Sequence, residues 1–165
     1  MLLRAITRIV RRLYWILKKK IFRKEEPIFY YTLHQKLWNI LAEHPGMLKK
    51  EALEEYFTEK ERKKFGTLQC TACAYKWKII GTDSDPDCKH CPLDTSHVPE
   101  EYPELSKWRD ICLRGLFHQW DKLTRDIICA TDNIDDIDVK RNKELCSKYA
   151  RAIANLKPKE GVKYI

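Results

Sequence analysis

Four cysteines in two closely spaced pairs constrain the fold of this chain more than any other feature. Cys70 and Cys73 form one Cys-x-x-Cys pair, and Cys88 and Cys91 form a second pair fourteen residues later. Cysteines three positions apart can turn both sulfurs toward one ion, and two such pairs complete a tetrahedron with Zn–S bonds of about 2.3 Å. The spacing therefore predicts a zinc site with Cys70, Cys73, Cys88 and Cys91 as ligands.

Two other interpretations of the cysteine pairs stay open. The thiols could be unrelated buried side chains, or a pair could be a redox dithiol, which requires a strand-to-helix setting like that of thioredoxin. A disulfide framework is disfavoured because the cysteine count of seven is odd and no cleavable secretory signal is predicted. A closed four-thiolate shell leaves no position for water or substrate, so the zinc is expected to be structural and not hydrolytic.

The predicted fold is mainly α, a helical body with a small zinc-ribbon-like β-hairpin insertion. "YKWKII" at 75–80 is expected to be the first strand of the hairpin, and "GTDSDPD" at 81–87 its turn. Four segments are predicted: a cationic amphipathic helix at 1–26, an N-terminal helical part of the body at 27–66, the knuckle segment at 67–99 and the C-terminal helices of the body at 100–165.

Helical periodicity is clear in four stretches of the body. "YYTLHQKLWNILAEHPG" has an apolar face and a candidate capping box in Thr32 and Gln35. The charge-rich stretch 47–65 predicts one further helix, and the pattern at 102–130 predicts the longest one. The last helix is expected to place Leu145, Tyr149, Ala152 and Leu156 on one face, with Asp138 as its N-cap.

Most of the positive charge of the chain lies at its start. The net charge is +8, yet residues 1–24 carry nine Lys or Arg and no acid, so the remainder is nearly neutral. This amphipathic segment could pack on the body or a second copy of the chain, dock on an anionic membrane surface, or contact nucleic acid. Its candidate contact residues are Arg4, Arg8, Arg11, Arg12, Lys18 and Lys19.

The stretch "YKWK" alternates aromatic and basic residues, and it has two interpretations. On a hairpin, Tyr75 and Trp77 could stack on single-stranded bases, which makes Lys76, Trp77 and Lys78 candidate contacts with a partner or nucleic acid. The favoured interpretation is that the aromatic residues pack inward while both lysines face water. The three remaining cysteines are predicted to be buried core thiols: Cys112, Cys129 and Cys146.

Several of these motifs together resemble a known group of proteins. "LHQKLWNILAE", "CTACAYKW", "CKHCPLD" and "YARAIANL" are similar to segments of small zinc-knuckle proteins encoded by phages and prophages of Gram-positive bacteria. The resemblance spans roughly residues 33–156 and is most specific at Cys88–Pro92. It implies a phage origin and the same four cysteine ligands, and it implies no activity.

The function predicted from these features is that of a non-enzymatic phage accessory protein. It would carry structural Zn²⁺ and bind a macromolecular partner, foremost a protein, in the cytoplasm of a host cell, with membrane docking of the first helix left open. A nucleic-acid-binding zinc-ribbon regulator and an anti-defence inhibitor of a host nuclease are the alternatives. No enzyme is predicted, because no nucleophile or acid–base grouping emerges from the spacing of polar residues.

Overall fold

The computed structural model describes residues 26–66, 70–80, 90–94, 115–130 and 136–165. Within these ranges the chain is mainly helical, which confirms the prediction of a mainly α fold. The same ranges form no strand longer than an isolated bridge. The six helices are α1 (Tyr31–Glu43), α2 (Lys49–Tyr56), α3 (Glu59–Arg62), α4 (Thr71–Ile80), α5 (Leu116–Ile128) and α6 (Asp136–Ala154).

Packing of α6 against both α1 and α5 forms the main part of the core. Trp38 of α1 and Trp120 of α5 meet edge to face with ring centroids 5.0 Å apart, a geometry worth about 0.5–1.5 kcal/mol beyond the burial of the rings. Ser147 of α6 donates a hydrogen bond to the carbonyl of Ala42. Helices α1 and α5 therefore both pack against α6, as their periodicity allows, and the apolar faces of the three helices meet in one cluster.

The start of α1 differs from the predicted capping box. Tyr30 occupies the N-cap without a side-chain bond to the helix. Thr32 lies inside the first turn, and its N–H donates to the carbonyl of Ile165 at 3.1 Å. Phe29 also pairs with the segment that contains Tyr164, in a parallel bridge. The Ile165 carbonyl, which is distant in sequence, thus accepts a hydrogen bond from one of the N–H groups that a helix start leaves without a partner. This N–H group therefore needs no side-chain cap.

The stretch 47–65, predicted to be one helix, is two short ones. Phe57 has extended backbone angles (φ −125°, ψ 139°) and ends α2. Thr58 then caps α3, because its Oγ1 accepts from the N–H of Glu61 at 3.3 Å while its own N–H donates to the Glu61 carboxylate at 2.8 Å. The break lets Phe57 and Phe65 pack edge to face in the core, with centroids 5.1 Å apart.

The predicted hairpin strand at 75–80 is wrong, because this stretch belongs to α4. Tyr75 and Lys76 are both buried, whereas 77–79 are exposed, and a strand would alternate. The prediction rested on only four alternating residues, which are too few to distinguish the two-residue period of a strand from the 3.6-residue period of a helix. Ala72 and Ala74 favour a helix, and the Cys70 carbonyl accepts its first i to i+4 bond from Ala74 at 2.9 Å.

Two further predictions are wrong: the N-cap of α6 and the burial of Cys129 at the end of α5. Asp138 lies inside α6 and not at its N-cap, since that helix begins at Asp136. Cys146 is buried as predicted, with its sulfur 3.4 Å from the Thr124 hydroxyl of α5, but Cys129 is exposed at the end of α5. Cys112 lies outside the described residues.

Candidate metal site

The first cysteine pair lies at the start of α4. Cys70 immediately precedes the helix, and its N–H donates to the Phe65 carbonyl at 3.3 Å, which ties it to the end of the preceding segment. Cys73 lies one turn further on, and the two side chains are hydrogen-bonded to each other. A helical turn therefore brings the two sulfurs together.

Cys91 reaches the same region from a separate segment. It is 5% exposed, and the residues that follow it are anchored to the segment after α6. Leu93 bridges Pro158 in antiparallel fashion, and the N–H of Lys159 donates to the Pro92 carbonyl at 2.7 Å. These backbone bonds hold residues 91–94 against the helical body.

A cavity of about 310 Å³ joins the three described cysteines of the predicted site. Cys70, Cys73 and Cys91 all line it. Most of the remaining wall comes from α1, α2, α5 and α6, and it includes His34, Trp38, Lys49, Phe117 and Ile153. Three of the four predicted ligands, which lie up to 21 positions apart in the sequence, therefore face one largely apolar space.

The environment of Cys70 disfavours a free thiolate. The hydrogen bond that the Cys70 thiol donates to the Cys73 sulfur, together with burial, raises the pKa of Cys70 well above its usual range, and the charge of Lys49 opposes this only in part. A reactive or redox-active cysteine requires a lowered pKa and access to solvent. Without a cation, the Cys70 thiol is therefore neutral at pH 7.

His34 is a buried residue of the cavity wall that sequence reasoning did not single out. It is 2% exposed, and its Nε2 donates to the Ile153 carbonyl of α6 at 3.1 Å. Burial lowers the pKa of His34 to about 4, so the ring is neutral at pH 7. A signal was present, because His34 precedes Trp38 by four positions and Leu41 by seven, which places all three on one helical face.

The described residues fit a zinc site in part. Cys70 and Cys73 form a contact pair and Cys91 lies on the same cavity, a donor set that zinc prefers. Among the residues that the structure describes, however, no three His, Cys, Asp or Glu side chains are close enough together to hold a metal ion. The fourth predicted ligand, Cys88, lies outside those ranges.

The predicted contact residues of α4 differ in their exposure to solvent. Lys76 is 7% exposed and Trp77 is 53% exposed, so the favoured interpretation, with the aromatic residues inward and both lysines in water, is wrong for these two residues. Lys78 is exposed as predicted. Tyr75 packs inward as expected. The cationic candidates Arg4, Arg8, Arg11, Arg12, Lys18 and Lys19 lie outside the described residues.

No protein-family model, curated protein or solved structure matches this chain. The described helices include none that is both long enough and apolar enough to span a bilayer.

Proposed function

We propose that this chain is a non-enzymatic binding protein whose helical body is stabilised by a structural zinc ion on Cys70, Cys73, Cys88 and Cys91. The observation that carries the proposal is the convergence of Cys70, Cys73 and Cys91 on one cavity. Bound there, zinc supplies a link between segments and no chemistry of its own, because four thiolates fill its shell. The sulfurs have to lose their protons on binding, so metal uptake releases protons.

The other polar groups of the cavity support a structural role. His34 is neutral and held by a backbone carbonyl, an arrangement that stabilises the packing of α1 on α6. The raised pKa of the Cys70 thiol does not suit a nucleophile. These two environments support the proposed non-enzymatic role.

The partner is proposed to be a macromolecule, with a protein foremost. Large apolar side chains are exposed on several helices, among them Ile79, Ile128 and Ile137. Residues 1–24 would add a cationic amphipathic helix for docking on a partner, a second copy or an anionic membrane surface. The phage origin and the role as an anti-defence inhibitor rest on the sequence resemblance. Affinity capture from phage-infected cells, with the full chain and with a chain lacking residues 1–24, tests the partner class.

The zinc proposal is tested by metal analysis of three purified chains. The unchanged chain is expected to hold about one zinc ion per molecule. Cys91→Ser removes a ligand, so its zinc content is expected to fall well below that value and its Tm to drop. Cys129→Ser is the matched control, because Cys129 is exposed and lies outside the cavity.

Equal zinc content in the Cys91→Ser and Cys129→Ser chains would contradict the assignment of Cys91 as a ligand. An unchanged chain that is purified without zinc, and that takes up none when zinc is added under reducing conditions, would contradict the site itself.

A further inference from the structure

A groove on another face of α4 has the composition of a nucleic-acid site. It has a volume of about 300 Å³ and lies between residues 63–66 and α4. We call it the lysine–tryptophan groove, and its defining residues are Lys63, Lys64, Phe65, Trp77 and Lys78. No acidic residue is among the described residues that line it.

Two ammonium groups of the groove converge on one aromatic ring. The Nζ of Lys64 is 4.8 Å from the centroid of the Tyr30 ring, and the Nζ of Lys78 is 5.9 Å from the same centroid. Neither lysine forms an ion pair with a described carboxylate, whereas Lys63 is paired with Glu59 at 2.8 Å. Since no described carboxylate neutralises either ammonium group, a phosphate bound in the groove would gain an attractive interaction with both.

Trp77 adds a stacking surface beside these charges. More than half of this side chain is exposed, although an indole of this size is one of the most favourable groups to bury. Proteins that bind single strands combine a basic groove for the phosphates with aromatic rings on which bases stack. Lysine is depleted at protein–protein interfaces, so the composition favours a nucleic acid over an acidic protein segment.

We propose that the lysine–tryptophan groove binds single-stranded nucleic acid, with a base stacked on Trp77 and phosphate oxygens on Lys64 and Lys78. The inference goes beyond the proposed function and does not require the zinc ion, because none of the predicted metal ligands lines the groove. It also differs from the surface predicted from sequence, since Lys64 takes the place of the buried Lys76. DNA and RNA share the chemistry in question, so both are tested.

The test is a titration of fluorescein-labelled oligo-dT and oligo-U with the full chain, followed by anisotropy at several salt concentrations. The groove variants are Trp77→Ala, Trp77→Phe and the double variant Lys64→Gln/Lys78→Gln. Because residues 1–24 attract nucleic acid through charge alone, the matched control is Lys140→Gln/Lys143→Gln, which removes two exposed lysines from α6. Helicity and zinc content are measured for every variant, so that loss of fold or of metal is separated from loss of the groove.

Loss of stacking and loss of charge have distinct expected effects. Trp77→Ala leaves the net charge unchanged and is expected to weaken binding about 5- to 150-fold, while Trp77→Phe retains most of the affinity. Lys64→Gln/Lys78→Gln is expected to lower the slope of log K against log salt by about 1.4. An equal reduction in the Lys140→Gln/Lys143→Gln control would overturn the assignment of the two lysines.

Two results would overturn the proposal as a whole. One is equal affinity of the Trp77→Ala chain and the unchanged chain for both oligonucleotides, which would assign all binding to the cationic segment. The other is an anisotropy change with a labelled polyglutamate peptide, lost in the Trp77→Ala chain, when neither oligonucleotide binds. The groove would then be a site for an acidic protein.

Discussion

Lys76 and Trp77 are neighbours in the sequence, yet the helix gives them opposite environments. Their side chains point about 100° apart on α4, so the lysine is turned into the body while the tryptophan faces water. Residue type alone predicts the reverse, because lysine is among the side chains that are rarely buried. The exposure of Trp77 thus depends on which face of α4 meets the core, and it leads to the groove proposed above.

His34 is expected to make the stability of the fold sensitive to acid. Burial lowers its pKa to about 4, whereas an unfolded histidine titrates near 6.5. The stabilisation due to the neutral ring is therefore complete above pH 6.5 and is lost as the pH falls toward 4. The loss is expected to reach about 2 kcal/mol at pH 5, measured as the free energy of urea unfolding relative to pH 7.5.

His34→Gln removes the titrating ring from this position, so its unfolding free energy should depend less on pH over the same interval. His118→Gln is the control, because His118 is exposed on α5. If His34→Gln and the unchanged chain lose the same free energy between pH 7.5 and pH 5, the buried ring is not the cause.

At the scale of helices, the long ones were predictable and the short ones were not. The periodicity of α1, α5 and α6 extends over 13 to 19 residues, enough to define an apolar face. The break between α2 and α3 depends on two extended residues, Phe57 and Thr58, and the Phe57 side chain is buried in the core. The sequence "FTEKE" does contain the signal for a new helix start, with Thr58 three positions before Glu61.

Thr58→Ala is expected to destabilise the chain by about 1 kcal/mol, within a range of 0.5–2. Thr58 Oγ1 accepts the N–H of Glu61, and this bond has no replacement in the variant. Thr32→Ala is the informative comparison, because a cap was predicted there, whereas the structure places Thr32 in the first turn of α1, where its exposed hydroxyl makes one long 3.3 Å bond to the Ile165 carbonyl. Its cost is expected to stay within about 0.5 kcal/mol. Urea unfolding measures the loss of stability in both variants, and a larger loss for Thr32→Ala than for Thr58→Ala would contradict the observed helix boundaries.

At the scale of the whole molecule, segments that are distant in sequence meet at the cysteine cavity. Helix α4 carries Cys70 and Cys73 there, and residues 91–94 are held by the segment after α6. The contacts of α6 with α1 and α5 form the main part of the core and include no cysteine of the predicted site. Zinc on these sulfurs would therefore secure α4 and residues 91–94, while α1 and α6 would hold together without it.

Chelation of the zinc-loaded chain is expected to loosen the molecule unevenly. Amide hydrogen exchange should become faster in 70–80 and 90–94, because the ion no longer links these segments. Exchange in α1 and α6 should change much less, since their contact depends on apolar packing. Uniform acceleration along the chain, or none, would contradict the proposed role of zinc as a local link.

The sequence by itself determined the mainly helical fold, the positions of α1, α5 and α6, and the cysteine spacing that indicates zinc. Those features are local, because a helical face repeats every three or four residues and a Cys-x-x-Cys pair occupies only four consecutive residues. Only the tertiary structure decided that 75–80 is helical, that His34 and Lys76 are buried, and that Lys64 lies near Lys78. These outcomes depend on burial, and burial is set by partners far along the chain, as where Ile153 accepts the hydrogen bond of His34.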